Sequence, residues 1–218
     1  MAERFDLVVF DWDGTLMDSA AAIVNAIGAS CRDLGLPEPA EAQARYVIGL
    51  GLVDALKHAV PDLTEADYPR MVERYRHHFL SSDHELRLFP GVVDTLGWLS
   101  GQGRMLGVAT GKSRAGLERA LAHTAIAPYF HSTRCADECF SKPHPAMLLE
   151  IMDELGVQPE RTLMVGDTTH DLLMARNAGV ASLAVSFGAH PVDALVAAQP
   201  LACVETPAQL GAWLRQHV

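Results

Sequence analysis

An α/β fold, with a doubly wound and mostly parallel sheet that carries a helical insert after its first strand, is predicted for this 218-residue chain by three observations. The run Leu7-Val8-Val9-Phe10 is continuously apolar and ends in Asp11-Trp12-Asp13-Gly14-Thr15, as a buried strand running into a turn would. Residues 17–86 contain no convincing strand pattern. Beyond Phe89-Pro90-Gly91 short strand-like runs alternate with helical periodicity, which implies βα units and a parallel sheet.

The elements follow in order. Asp18 or Ser19 can cap a helix whose apolar positions Ala20, Ile23, Val24, Ile27 and Cys31 recur at helical spacing to about Leu34, and Gly35 with Pro37 ends it. Further helices are expected over Ala40 to Tyr46, Leu50 to Ala59 and Thr64 to Leu80, with Pro61 between the last two and Thr64 as a cap. The alternating region then reads as helix Val92 to Ser100, strand Met105 to Thr110, helix Ser113 to His123 and a short strand near His131 to Arg134. Helix Pro145 to Leu155, strand Arg161 to Val165, helix Thr169 to Ala178 and strand Val180 to Val185 follow, then a short piece at Ala202 to Val204 and a closing helix from Thr206.

Apolar residues make up 49% of the chain, enough for a real core, so disorder is not expected. A net charge of −10 and a pI near 5.4 argue against general nucleic-acid binding and leave any anion site dependent on local cations. The mixed-charge N-terminus and the break of the first apolar run at Asp11 fit neither an export signal nor a membrane span, so a cytoplasmic protein is expected. Cys31, Cys135, Cys139 and Cys203 match neither a paired CxxC metal site nor a disulfide scaffold and read as structural thiols.

In a doubly wound sheet, ligands collect beyond the carboxyl ends of the strands. Those ends offer Asp11 with Asp13, then Thr110-Gly111, then Gly166-Asp167 with Asp171 one helical turn on, and Lys142 in the proline-bounded loop Ser141-Lys142-Pro143-His144-Pro145. Residues two apart on a strand share a face, so Asp11 and Asp13 repel unless a cation lies between them, and Mg²⁺ prefers such oxygen ligands. The plain alternative is an Asx-rich turn with solvated carboxylates, since Asp-Gly is a common turn pair. Asp171 alone also reads as a residue of a helix N-terminus. Trp12 should point away from the two carboxylates, and His144 and His170 read as turn-stabilising or solvent-facing.

Together, Asp11-x-Asp13-Gly14-Thr15, Thr110 after a strand, Lys142-Pro143 and Gly166-Asp167-x-x-x-Asp171 resemble the four ordered motifs of the haloacid dehalogenase superfamily, over essentially the whole chain. The arrangement is most similar to phosphoglycolate phosphatase-like members. The resemblance implies a Rossmann-like core of residues 1–16 and 87–218 with a small helical cap of residues 17–86. It further implies that Asp11 is phosphorylated by substrate, that Asp13 moves protons, and that Thr110, Gly111 and Lys142 bind the phosphoryl group. Mg²⁺ would be held by Asp11, the Asp13 carbonyl and Asp167, with Asp171 direct or one step removed. Cap candidates for selecting the alcohol are Arg45, the turn Gly49-Leu50-Gly51, and Lys57 with His58 behind it.

The expected activity is Mg-dependent hydrolysis of a small phosphate monoester, phosphoglycolate-like or a sugar phosphate, by a monomer or homodimer with no nucleic-acid or membrane partner. A phosphomutase of the β-phosphoglucomutase type shares the same intermediate. Lys57 raises phosphonoacetaldehyde hydrolysis through a Schiff base. Gly107-Val108-Ala109-Thr110-Gly111-Lys112-Ser113 approaches a P-loop but has one residue too few between its glycines.

Overall fold

The computed structural model describes residues 5–218. One sheet of parallel strands contains β1 (Leu7–Phe10), β2 (Met105–Thr110), β3 (Ser132–Cys135), β4 (Thr162–Gly166), β5 (Ala181–Val185) and β6 (Cys203–Val204). Their order is β3-β2-β1-β4-β5-β6, so β1 lies inside the sheet where the winding reverses. Phe10 is in register with Val108 of β2 and Val165 of β4. The polar residues just past these positions therefore emerge side by side at one edge.

Alternation along β1 sends its side chains to two packed layers. Val8, Phe10 and Trp12 join the larger core with helices α5 (Val92–Gly101), α6 (Arg114–Thr124) and α10 (Pro207–His217). Leu7 and Val9 pack with α7 (Ala146–Leu155) and α8 (Thr169–Asn177) on the opposite face. Trp12, fully buried, thus turns away from Asp11 and Asp13. A short helix α9 (Val192–Ala197), absent from the sequence reading, covers Ala184 and Leu172 with Leu195. Its single buried apolar residue leaves almost no periodicity to read.

Between β1 and α5 the chain forms α1 (Ala20–Leu34), α2 (Glu41–Tyr46), α3 (Leu52–Ala59) and α4 (Tyr68–Ser82). These helices bury their apolar stripes on each other, with Ile23, Ile27, Leu56, Met71 and Phe79 at the centre of a separate cluster. The two strands of chain that join this insert to the sheet run antiparallel. Asp18 N donates to Arg87 O at 3.0 Å, and Phe89 N donates to Leu16 O at 2.9 Å.

Two helix starts differ from expectation. Thr64 does not cap a helix: its hydroxyl donates to Asp67 Oδ2 at 2.7 Å within a preceding turn, and α4 begins at Tyr68-Pro69, where proline suits the first turn. Ser19 occupies the N-cap position of α1 without using its side chain there. Its hydroxyl instead donates to Asp13 Oδ1 at 2.6 Å. Among the described residues no helix is long and apolar enough to cross a membrane.

Candidate active site

Asp11 leaves β1 with its backbone N–H donating to Val165 O at 2.9 Å, which continues the β1–β4 ladder by one residue. Lys142, from the loop before α7, places Nζ 2.6 Å from Asp11 Oδ1 and 2.7 Å from Asp171 Oδ1, with all three side chains buried. Asp171 is also fixed by its helix. Its Oδ2 accepts from Thr168 N at 3.1 Å while Asp171 N donates to Thr168 Oγ1 at 3.4 Å, the capping box that opens α8, and Thr168 Oγ1 also donates to Oδ2 at 2.7 Å. Both sequence readings of Asp171, helix cap and member of the acidic cluster, therefore describe its position.

Asp167, one residue beyond β4, accepts from Thr15 Oγ1 at 2.8 Å and from Ala189 N at 2.7 Å. Glycines make room for it on two sides: a methyl group on Gly14, whose φ is 83°, or on Gly188 would overlap the Asp167 carboxylate. Gly188→Ala is therefore expected to lower stability by about 1–3 kcal/mol through overpacking and to reduce turnover at least tenfold. Chemical denaturation and steady-state assay check both, with Gly101→Ala as control, since a methyl there meets nothing within 4 Å.

Asp13 sits at the boundary between this buried cluster and an open cavity. Its Oδ1 receives Ser19 Oγ at 2.6 Å and Lys112 Nζ at 3.0 Å. Thr110 is buried at the end of β2, with its Oγ1 accepting from Lys112 N at 3.1 Å. Gly111 carries no side chain because the carbonyls of Gly49 and Leu50, from the insert, lie directly against it. Gly51 N donates to Ser141 Oγ at 2.9 Å, beside Lys142. The Gly49-Leu50-Gly51 turn thus rests on the core loops that carry Thr110 and Lys142.

Arg45 and Lys57 are not brought to this site. Arg45 pairs with Glu41 at 2.9 Å along α2, in a separate groove beside Glu38 and Ala21. Lys57 is exposed on α3, and His58 behind it bonds the Asp54 carbonyl at 2.8 Å, one turn back on the same helix. The apolar periodicity of α3 turns Ala55, Leu56 and Ala59 inward and leaves these cations outside. His170 is neither solvent-facing nor part of its own turn. It is buried and donates from Nε2 to Tyr46 O at 2.7 Å, and His190 Nε2 does the same at 3.0 Å. Burial pushes His170 down to about 4. His144 does stabilise its turn, accepting from Ala146 N at 3.2 Å.

The electrostatics of the cluster follow from burial. Desolvation pushes Asp11 well above the usual carboxylate range against the pull of Lys142, and the neighbouring carboxylates of Asp171 and Asp167 add to the rise. Asp167 is pushed up to about 7, again first by burial and then by Asp171. Burial opposes the charge on Lys142, but Asp11 and Asp171 outweigh it and hold the ammonium above its ordinary value.

One oxygen from each of Asp11, Asp167 and Asp171 lies within 4.8 Å of the others. Asp11 Oδ2 is buried with no hydrogen-bond partner. An all-oxygen set with one unpartnered carboxylate oxygen fits a hard divalent cation such as Mg²⁺. Gly107, by contrast, is buried within β2 against Ile151 and Val9, so the P-loop-like stretch supplies a strand and not a phosphate-wrapping loop.

Residues 8–185 match the family model described as haloacid dehalogenase-like hydrolase. The chain belongs to the haloacid dehalogenase-like hydrolases. Among relatives in this family, "Probable phosphatase IndB" of Dickeya dadantii is 40% identical over 206 residues, covering 92% of this chain and 89% of the relative. A phosphoglycolate phosphatase of Agrobacterium fabrum is 34% identical, over 84% and 81% of the two chains. The crystal structure of a predicted phosphoglycolate phosphatase from Haemophilus somnus superposes with a TM-score of 0.87 at 25% identity, covering 98% of this chain and all of the other. This chain is accordingly a haloacid dehalogenase-like hydrolase on a parallel α/β core, and these relatives are named phosphatases.

Several residues at the site escaped the sequence reading. Ser19 and Lys112 both bond Asp13, Ala189 N holds Asp167, and Tyr75 and Phe79 of α4 face the cavity above. Tyr75 and Phe79 had a legible signal in their four-residue spacing on one helix face. Ala189 acts through its backbone, which no side-chain pattern reveals.

Proposed function

We propose that this protein hydrolyses a phosphate monoester with Mg²⁺ through a phosphorylated Asp11. The observation that carries the reading is Asp11 Oδ2, a buried carboxylate oxygen without a partner, while Lys142 engages Oδ1 of the same group. A carboxylate oxygen of Asp11 attacks phosphorus, the bond from phosphorus to the alcohol oxygen breaks, and Asp13 delivers a proton to that oxygen. Asp13 then takes a proton from water, whose oxygen displaces Asp11 and releases phosphate. Thr110 and the Gly111 N–H bind phosphoryl oxygens, and Lys142 offsets the negative charge they share with Asp11.

Asp11 and Asp167 would hold Mg²⁺ with the Asp13 carbonyl, and Asp171 assists directly or through Lys142. The ion, when bound, neutralises charge on the transferring group. The helical insert serves as a cap that lifts Gly49 and Leu50 from Gly111 to admit substrate and closes to exclude water. A phosphoglycolate-like alcohol and a sugar are both candidates for the leaving group. The four free thiols agree with a reducing, cytoplasmic setting. Acid quenching during turnover, followed by mass spectrometry, tests the reading: a phosphoryl adduct belongs on the peptide that contains Asp11, and turnover without one overturns it.

Mg²⁺ binding is expected to strengthen as pH rises toward about 7, the value to which Asp167 is pushed, because the raised carboxylates must lose protons first. Without metal, a carboxylate raised from 3.8 to about 7 makes stability fall with rising pH between those values. His170, lowered from 6.5 to about 4, makes stability rise over much of the same window. The shift in melting temperature caused by Mg²⁺ separates the two, since His170 contributes to both arms. That shift should be larger at pH 8 than at pH 5.5, and calorimetry should record proton release on binding at the lower pH.

A further inference from the structure

The route to Asp13 is a cavity of about 730 Å³ between the insert and the core. Pockets that enclose drug-sized ligands span about 300–1,000 Å³, so a two-carbon alcohol would leave most of this one to water. Its walls on the insert are apolar: Ile23 and Ile27 from α1, Leu56 from α3, and Val72, Tyr75 and Phe79 from α4. The Tyr75 and Phe79 rings are stacked, with centroids 5.9 Å apart and planes 14° from parallel.

Two of the three cations in the cavity lining are already matched. Lys112 bonds Asp13 at 3.0 Å and lies 4.7 Å from the centre of the Phe79 ring. Arg119 bonds Asp83 at 3.1 Å. Arg76, the remaining cation of the lining, is exposed, and Asp54 and Asp137 add negative charge elsewhere in the lining. Away from exposed Arg76, a carboxylate on the leaving alcohol would have to separate one of these pairs or rest unpaired against apolar side chains, which is costly.

Resting on the phosphatase reading above, we propose that the preferred substrate is the phosphate ester of an uncharged, ring-bearing alcohol, with the ring seated between Ile23, Val72 and the stacked Tyr75–Phe79 pair. Apolar walls and a stacked aromatic pair reward a flat ring by burial and ring contact. The phosphate reaches past Lys112 to Asp11, while the ring stays in the insert, and a carboxylate-bearing alcohol such as glycolate gains nothing from that wall.

The test compares 2-phenylethyl phosphate, phosphoglycolate and ethyl phosphate in the wild-type enzyme and in Val72→Trp, with Val72→Phe as a milder filling of the same space. In the wild type, kcat/KM for 2-phenylethyl phosphate should exceed that for phosphoglycolate at least about tenfold. Filling the wall should lower the ring ester about tenfold and leave ethyl phosphate unchanged. Preference for phosphoglycolate, or an equal loss on all three esters, overturns the proposal. Binding of the free alcohol 2-phenylethanol, followed by NMR, separates this from failure of the phosphatase reading. If no ester is hydrolysed but the alcohol binds the wild type and not Val72→Trp, the ring site stands and the chemistry falls. If the alcohol binds neither, the ring site falls.

Discussion

Asp11→Asn is expected to cut phosphate release by at least about 10⁴-fold, the scale seen when a covalent nucleophile is removed, while the protein stays folded. Asparagine keeps the shape of the side chain and an oxygen for Lys142, which lies 2.6 Å from Asp11 Oδ1. What it lacks is the anionic Oδ2, the buried atom that has no hydrogen-bond partner. Burial already works against charge at this position, so the neutral variant should melt no lower than the wild type at pH 8. Phosphate assay with ethyl phosphate and thermal melting measure the two effects. Turnover that survives the substitution, or that survives chelation of divalent ions, overturns the aspartyl-phosphate reading.

Lys142→Met should be the most destabilising single change in the site. The ammonium bridges Asp11 and Asp171 at 2.6 and 2.7 Å with Asp167 close by, and none of the four side chains reaches water. Methionine fills the space of the aliphatic stem but leaves three carboxylates together. Removing one partner from a buried ionic group typically costs about 3–5 kcal/mol, which for a domain of this size lowers the melting temperature on the order of 10 °C. The loss should be greatest at pH 8 and shrink toward pH 5. There Asp167, pushed up to about 7, is protonated, Asp11 is shifted in the same direction, and the missing cation matters less. A melting temperature that falls equally at both pH values would show that packing, and not charge, is what Lys142 provides.

The sheet and the acidic cluster were legible because both depend on short-range pattern. Leu7 to Phe10 is apolar on both faces and stops at Asp11, and a strand buried by helices on both sides must look that way. Thr110 and Asp167 stand at strand ends marked by the glycine beside each, and Lys142 stands in the proline-bounded loop before α7. The insert was legible as helices but not as a surface. Arg45 and Lys57 drew attention by charge, yet the inward stripe of each helix decides which side chains meet the core, and both fall on the other side. Lys112, only two residues from Thr110, reads in sequence only as the lysine of a P-loop-like stretch, because its partner Asp13 is almost a hundred positions away. Ser19 shows the same limit, since a good capping residue can spend its hydroxyl elsewhere once tertiary structure offers a better acceptor.

The antiparallel pairing of Leu16 and Asp18 with Phe89 and Arg87 has a consequence for how the molecule is wired. Outgoing and returning chain sit a hydrogen bond apart, so the sheet senses the insert only as a gap already closed. The entropy of closing such a loop grows with the logarithm of its length. Modules of quite different size can therefore hang from this doorway at nearly constant cost to the sheet beneath. The chemistry at the strand ends and the choice of what reaches it are in this sense separately adjustable parts of one chain.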